Sequence, residues 1–230
     1  MTGASSQTWQ IDLGGGQATS AIFEPAAQGA GAPVLVCAHG AGGHMFDKAM
    51  LAAAGALREA GLGVLRFNFV YREKGSKRPD PMPQLQACVA AVAGQVRDVL
   101  HPEMLLLGGR SMGGRAASML VADGFACDGL LLLAYPLHPA GETSKLRDAH
   151  LPRIAPPVLC FNGMRDALCE EALMRRELER LSDNWTVHWL QGADHSFHVL
   201  KSSGRTDADV LSEVAGATRD GLAAKVGTTR

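Results

Sequence analysis

Six apolar runs alternate with segments of helical spacing, and this alternation restricts the possible folds of the chain more than any other feature. The runs are Pro33–Ala38, Val64–Val70, Met104–Leu107, Gly129–Ala134, Val158–Phe161 and Trp185–Leu190. Most are apolar at consecutive positions, which is typical of strands covered on both faces. Helical spacing occupies Asp47–Ala60, Leu85–Leu100, Met112–Asp123 and Glu170–Leu181. The pattern predicts an α/β fold with a mainly parallel central sheet and helices on both faces.

The two ends of the chain extend this core. Thr8–Leu13 and Ala18–Phe23 flank three glycines, which predicts an antiparallel hairpin over about residues 8–23 at the sheet edge. Asp207–Val226 has helical composition and predicts a last helix, with residues 227–230 frayed. Since no repeat or linker interrupts the chain, we expect a single domain over residues 1–230.

Composition excludes several classes of partner. With 22 basic and 23 acidic residues the net charge is −1, so no global field attracts nucleic acid or an anionic membrane. The first residues lack the features of a leader, and no apolar stretch reaches about 18 residues, so we expect a cytoplasmic protein. The five cysteines have no CxxC spacing, which favours buried thiols over disulfides or metal ligands.

Residues 108–115 read GGRSMGGR and follow the apolar run that ends at Leu107. A strand, a tight glycine-flanked turn with serine at its tip, and a helix of small residues form a nucleophile elbow. Glycines are needed because side chains on either side of the serine would collide with neighbouring backbone. A phosphate-binding loop is the alternative, but the segment lacks both the P-loop lysine and the GxGxxG order. We therefore predict that Ser111 is a nucleophile.

A serine nucleophile needs a base and an acid that orients it. In this topology the chain order is Ser, acid, His. Asp166 follows the run Val158–Phe161, and His195 follows Trp185–Leu190. His198 is an alternative base and Asp194 an alternative acid. The other candidates, His101 and His188, are expected to be structural or surface histidines.

Two backbone N–H groups are needed to stabilise the tetrahedral intermediate. The first is predicted at Met112, directly after the nucleophile. The second is predicted in the glycine-rich loop His39–Gly43, which follows the run Pro33–Ala38. Ala41 is the best candidate in that loop.

The motifs AHGAGG, GGRSMGG, NGMRD and ADHSFH occur in this order, and over about residues 30–200 the chain resembles the α/β-hydrolase fold. More narrowly it looks like small bacterial hydrolases of the dienelactone-hydrolase-like group. It is also similar to a subset that includes a mammalian testis-expressed hydrolase-like protein and a subunit of a histone acetyltransferase complex. That subset shares a GRSMG-type elbow and a YREKG…RPD-type loop, here between Tyr71 and Asp80.

The resemblance implies a serine hydrolase whose triad is Ser111, Asp166 and His195. Dienelactone hydrolases proper carry cysteine at the elbow, so Ser111 is a departure that argues against their particular reaction. The segment Pro136–Pro157 stands where lipases insert a lid. Because it is short and charged, we expect a minimal lid or none.

Cations cluster around the predicted catalytic edge. Arg72, Lys74, Lys77 and Arg78 share one loop, and Arg110 and Arg165 flank the nucleophile and the acid. One interpretation is a preference for anionic acyl groups. The other is a solvated loop in which these cations pair with Glu73 and Asp80. The candidate substrate-binding residues are Arg72, Arg110 and His44.

These features predict hydrolysis of a small-molecule ester or thioester through an acyl-enzyme at Ser111. A peptidase or amidase of the same fold and a catalytically idle interaction module are the alternatives. No cofactor or metal is expected. The protein is expected to act as a monomer or homodimer.

Overall fold

One eight-stranded sheet forms the centre of the computed structural model, which describes residues 5–27, 32–181 and 183–228. The strands are β1 (Gln7–Gly14), β2 (Gln17–Glu24), β3 (Val34–Ala38), β4 (Gly63–Phe67), β5 (Leu105–Arg110), β6 (Gly129–Leu133), β7 (Val158–Gly163) and β8 (Trp185–Leu190). Their order across the sheet is β1-β2-β4-β3-β5-β6-β7-β8. From β3 onward all neighbouring strands pair in parallel, whereas β1 and β2 are antiparallel to their neighbours.

Helices cover both faces of this sheet. They are α1 (Lys48–Glu59), α2 (Val70–Glu73), α3 (Met82–Leu100), α4 (Met112–Ala122), α5 (Glu171–Leu178) and α6 (Asp207–Thr228). Helices α1 and α6 pack against each other and share one apolar cluster with one face of the sheet. Helices α3, α4 and α5 contribute to the apolar cluster on the other face. Because both faces are covered, β3, β4, β5 and β6 are buried at every position, as the consecutive apolar runs predict.

The strand register brings the carboxyl ends of the parallel strands to one edge. Ala38 pairs with Gly109, and Arg110 pairs with Leu133. Gly163 at the end of β7 pairs with Leu190 at the end of β8. The loops that follow β3, β5, β7 and β8 therefore emerge beside one another, which is the arrangement that a multi-residue site requires.

The hairpin of β1 and β2 forms one lateral side of the sheet, where β2 pairs with β4. In β2 the side chains of Thr19, Ala21 and Phe23 are buried and alternate with more exposed ones, because only one face of the hairpin meets the core. Arg66 of β4 is buried and forms an ion pair of 2.6 Å with Glu24 at the end of β2. This pair fastens the hairpin to the parallel sheet.

Element boundaries differ from the expected ones at several points. The strand expected over Val64–Val70 ends at Phe67, and Val70 begins the short helix α2. Helix α3 begins at Met82 because Pro83 in its first turn needs no N–H partner there. Helix α6 continues to Thr228, two residues beyond its expected end, and residues 229–230 lie outside the described residues.

All five cysteines are free thiols, and Cys127 is the least buried of them. Burial raises the pKa of the Cys37 and Cys160 thiols to about 12, so both are packing groups rather than nucleophiles. In the part of the chain that the structure describes, no helix combines the length and apolarity needed to cross a membrane.

Candidate active site

Ser111 lies at the tip of a sharp turn between β5 and α4. Its backbone has φ 48° and ψ −116°, a conformation that is rare and costly for a residue with a side chain. Its N–H donates to the carbonyl of Leu133, the last residue of β6. The side chain stays partly exposed. The strained, accessible serine that the GGRSMGGR motif predicts is therefore present.

Two glycines make this turn possible. A Cβ at Gly109, whose φ is +135°, would lie 2.1 Å from the carbonyl oxygen of Ala38. A Cβ at Gly113 would lie 2.6 Å from the same oxygen and 2.6 Å from that of His39. These contacts are far inside van der Waals distance, so the elbow packs against the end of β3 only where side chains are missing.

Ser111, His195 and Asp166 form a continuous hydrogen-bonded chain. Nε2 of His195 lies 2.9 Å from Oγ of Ser111, and Nδ1 lies 2.8 Å from Oδ2 of Asp166. Because an ionised carboxylate only accepts hydrogen bonds, the tautomer with the proton on Nδ1 satisfies both contacts. Nε2 then accepts the hydroxyl proton of Ser111. This is the arrangement in which a histidine removes a proton from a serine.

The carboxylate of Asp166 is fixed from several directions. Its side chain is fully buried, and Oδ1 accepts a hydrogen bond of 2.7 Å from the N–H of Leu168. Oδ2 also accepts a hydrogen bond from Nδ2 of Asn162 at 3.4 Å. With its oxygens occupied in this way, Asp166 holds the ring of His195 in one orientation.

The loop after β3 passes beside the nucleophile. A Cβ built on Gly40 would lie 3.7 Å from Cβ of Ser111, so the loop backbone and the serine are neighbours. Among the described residues, the N–H groups of Ala41 and Met112 have no hydrogen-bond acceptor. Two free N–H donors beside a serine are what an oxyanion requires.

His39 anchors this loop from inside the protein. The side chain is fully buried, its Nδ1 lies 2.8 Å from the carbonyl of Gly40, and its Nε2 accepts from the N–H of Phe69 at 3.1 Å. Burial lowers the pKa of His39 to about 4, so the ring is neutral near pH 7 and can accept that hydrogen bond. Next to it, the hydroxyl of Tyr71 accepts a hydrogen bond from the N–H of Gly42.

The alternative acid and bases are occupied elsewhere. Oδ1 of Asp194 accepts from the N–H groups of Ser196 and His198 and shapes the turn that carries His195. His198 pairs with Asp207 at 3.0 Å. His188 pairs with Glu213, and His101 ends α3 in a left-handed conformation.

A second serine–histidine pair lies behind the elbow. Oγ of Ser118 is 2.9 Å from Nε2 of His150, and both residues are buried. Ser118 also donates to the carbonyl of Arg115 in its own helix. Because the pair is buried and Ser118 has ordinary helical surroundings, we interpret it as a structural contact between α4 and the segment after β6.

The candidate substrate-binding residues occupy different environments. Arg110 is 9% exposed, donates to the carbonyl of His195 at 2.9 Å and stacks on Phe197. It therefore supports the loop that carries His195 from within the protein. His44 lies 3.1 Å from the carboxylate of Asp47. Arg72 donates to the carbonyl of Ser76.

The other loop cations point to solvent. Lys74, Lys77 and Arg78 are exposed, and none has an ion-pair partner among the described residues. Glu73 and Asp80 accept hydrogen bonds from uncharged groups instead, including the backbone N–H groups of Ser20 and Tyr71. The expected pairing of these cations with Glu73 and Asp80 is thus not formed.

A cavity of about 530 Å³ lies far from this edge. It is bounded by α6 and by the amino-terminal halves of the strands from β5 to β8, with Met104, Leu130 and Leu222 in its wall. None of the residues that line it is Ser111, Asp166 or His195. The site around Ser111 is therefore separate from this cavity.

Comparisons with known proteins agree with this geometry. Residues 31–222 match a family model described as an alpha/beta hydrolase domain. Among solved structures, an alpha-beta serine hydrolase homologue from Coxiella burnetii is similar with 21% identity, a TM-score of 0.73, and coverage of 94% of this chain and 97% of that one.

Two further structures are similar over nearly the whole chain. A serine hydrolase without a lid from Xanthomonas campestris shares 25% identity, with a TM-score of 0.71 and coverage of 95% of this chain and 94% of that one. A dienelactone hydrolase from Anabaena variabilis shares 18% identity, with a TM-score of 0.71 and coverage of 94% and 95%.

Proposed function

The chain belongs to the alpha/beta hydrolase domain family, and from this premise we propose that it is a serine hydrolase that cleaves a small carboxylic ester or thioester. Ser111 is the proposed nucleophile, His195 the base and Asp166 the residue that orients the base. The single observation that carries the proposal is the chain of two hydrogen bonds, 2.9 and 2.8 Å long, through the ring of His195.

The proposed reaction has two halves. Oγ of Ser111 attacks the carbonyl carbon while His195 takes the hydroxyl proton, and the resulting imidazolium is stabilised by Asp166. When the tetrahedral intermediate collapses, the bond to the alcohol or thiol breaks and His195 returns the proton to the leaving group. Water then attacks the acyl-enzyme with His195 again as base, which releases the acid and restores Ser111.

We assign the oxyanion hole to the N–H groups of Ala41 and Met112. Both donors are free among the described residues, and Met112 is the first residue of α4, where the helix dipole favours negative charge. Loss of one such donor typically lowers kcat by about 10²–10³-fold. His39 fixes the loop that carries Ala41 through its bond to Phe69, so this donor is preorganised.

An activity-based probe tests the proposal. We expect a fluorophosphonate to label the wild-type protein, because it reacts with a serine that an adjacent histidine activates. Ser111→Ala should abolish labelling and lower ester turnover by at least about 10³-fold, given how triad residues act as a unit. The melting temperature should change little, because the hydroxyl of Ser111 is partly exposed.

The matched control is Ser118→Ala, which removes the hydroxyl of the other serine–histidine pair. This variant should label and hydrolyse esters like the wild type. Labelling that persists in Ser111→Ala, or that disappears in a folded Ser118→Ala, would contradict the assignment of the nucleophile.

A further inference from the structure

Arg115 stands one helical turn after the nucleophile. Its N–H donates to the carbonyl of Ser111 at 3.0 Å, so Arg115 lies one turn along α4 from the nucleophile, which is the N-cap of that helix. Helical side chains lean toward the amino terminus of their helix, which here is the end that carries Ser111. The guanidinium of Arg115 is therefore within reach of a small molecule bound at Ser111.

Among the described residues, the guanidinium of Arg115 has no hydrogen-bond or ion-pair partner. Its Nε is buried and without a hydrogen-bond acceptor among the described residues. Arg115 also forms no ion pair with any described residue. A cation in the first turn of a helix also opposes the helix dipole. An unpaired, half-buried arginine at this position is unfavourable for the free protein, and its energy falls when an anion binds.

A second arginine, Arg147, interacts electrostatically with Arg115. Arg147 donates to the carbonyl of Pro136 at 3.3 Å, and its own carbonyl accepts a hydrogen bond of 2.6 Å from the hydroxyl of Tyr135. Tyr135 directly follows Ala134 at the carboxyl end of β6, beside the elbow. The pKa of Arg147 is lowered, first by burial and then by the charge of Arg115. The two cations therefore repel each other.

Among the described residues, no carboxylate forms an ion pair with Arg115 or Arg147. Glu142 pairs with Lys145, and Asp123 pairs with Arg153 at 3.2 Å. His150 contributes no negative charge, and its pKa is lowered to about 4 by burial and then by Arg115. Glu142 attracts Arg147 only weakly and without an ion pair, so among the described residues the two arginines form a positive patch that no bonded carboxylate neutralises.

We propose that Arg115 and Arg147 bind an anionic group of the substrate, a carboxylate or phosphate, next to Ser111. The proposal rests on the proposed serine hydrolase activity and adds the substrate class. Two planar guanidinium groups give directional, charge-assisted hydrogen bonds to such a group. The loop cations from Arg72 to Arg78 are the competing site, but three of them extend into solvent, where an ion pair is weak.

Paired esters test the inference. We would compare kcat/KM for an aryl hemiglutarate ester and for its neutral methyl-capped analogue, in the wild type and in Arg115→Gln and Arg147→Gln. Each variant should lower kcat/KM for the anionic ester at least tenfold, as expected for loss of a charge-assisted hydrogen bond. For the neutral ester kcat/KM should stay within about threefold, since the variants leave the triad intact.

Arg153→Gln is the matched control. It removes an arginine from the same segment, but one that is exposed and paired with Asp123, so both esters should react as in the wild type. Arg115→Lys, which keeps the charge and loses the fork of donors, should restore only part of the selectivity. Equal loss for both esters in folded variants, or loss of selectivity only in Arg72→Gln, would overturn the inference.

Titration calorimetry with glutarate and with inorganic phosphate separates this inference from the proposed activity. At least one of the two anions should bind the wild type and Arg153→Gln, and bind Arg115→Gln at least fivefold more weakly. If no ester is hydrolysed but this pattern of binding is found, the proposed activity fails and the anion site stands. If esters are hydrolysed and neither anion binds, the anion site is wrong.

Discussion

At the scale of single residues, the surroundings of each histidine decide what it does. His195 is 27% exposed and bonded to a carboxylate on one side and a hydroxyl on the other, so it can exchange protons with a substrate. His39 is buried between a carbonyl and a backbone N–H, where only its neutral form fits. The same side chain is the proposed base in one place and a fixed structural contact in the other.

The buried histidine makes stability depend on pH. Unfolded His39 takes up a proton below pH of about 6.5, whereas in the folded protein its pKa is about 4. Between these values the unfolded state binds more protons, so the free energy of unfolding falls as the pH falls. The full shift corresponds to about 3 kcal/mol, present above pH of about 6.5 and lost as the pH falls to about 4.

Urea denaturation between pH 7 and pH 4 measures this loss. His39→Asn should show a shallower decline with falling pH than the wild type, although it starts from a lower stability because its anchoring contacts are weaker. His101→Gln, at an exposed helix end, should follow the wild-type curve. An unchanged slope in His39→Asn would show that other groups cause the acid sensitivity.

At the scale of elements, the conformation of the elbow depends on close packing between α4 and the end of β3. Gly113 sits in the first turn of α4, where a Cβ would overlap two backbone carbonyls that cannot move independently of β3. Gly113→Ala should therefore destabilise the fold by about 1–3 kcal/mol, the usual range for overpacking. Displacement of the helix should also reduce probe labelling of Ser111.

Gly94 provides the comparison for this prediction. It lies within α3, and a Cβ there would meet nothing within 4 Å. Gly94→Ala should raise the stability by about 0.5–1 kcal/mol, because alanine favours helix. Thermal melts of the two variants check both directions, and a Gly113→Ala variant as stable as the wild type would contradict the packing argument.

The sequence pattern predicts the elements better than their ends. The apolar run that ends at Leu107 marks the middle of β5, but the strand continues to Arg110, because the two glycines carry no hydrophobic signal while their backbone still pairs with β3 and β6. The run through Val70 suggests one long strand. The strand instead ends at Phe67 and α2 begins at Val70, while the side chain of Asn68 between them accepts a hydrogen bond from the N–H of Met45.

At the scale of the whole molecule, topology explains why the site was predictable in part. The α/β-hydrolase fold and its likeness to dienelactone-hydrolase-like enzymes are confirmed. Ser111, Asp166 and His195 each follow a strand of the parallel sheet, so all three lie at the carboxyl ends of the strands whatever the conformation of their loops. The directions of long side chains could not be predicted in the same way. Arg110 turns inward to His195, and Arg115 has no partner in the described part of the chain; neither outcome follows from position in the sequence.

The segment between β6 and β7 decides how substrates reach this edge. Its described secondary structure is one 3₁₀ turn at Leu151–Arg153, and it is tied down by bonds from Tyr135 to Arg147 and from His150 to Ser118. A segment held in this way does not open and close as a lipase lid does. Ser111 is partly exposed in this arrangement, so we expect that binding requires no rearrangement at a lipid surface.

Kinetics on a sparingly soluble ester test this consequence for the whole molecule. With tributyrin as the substrate, we expect the initial rate to follow a single saturating curve with no jump at the solubility limit. A lidded lipase would accelerate there, because the emulsion surface stabilises its open form. Added detergent micelles should not activate the protein either. An abrupt rise in rate at the solubility limit would show that part of the molecule moves to uncover Ser111.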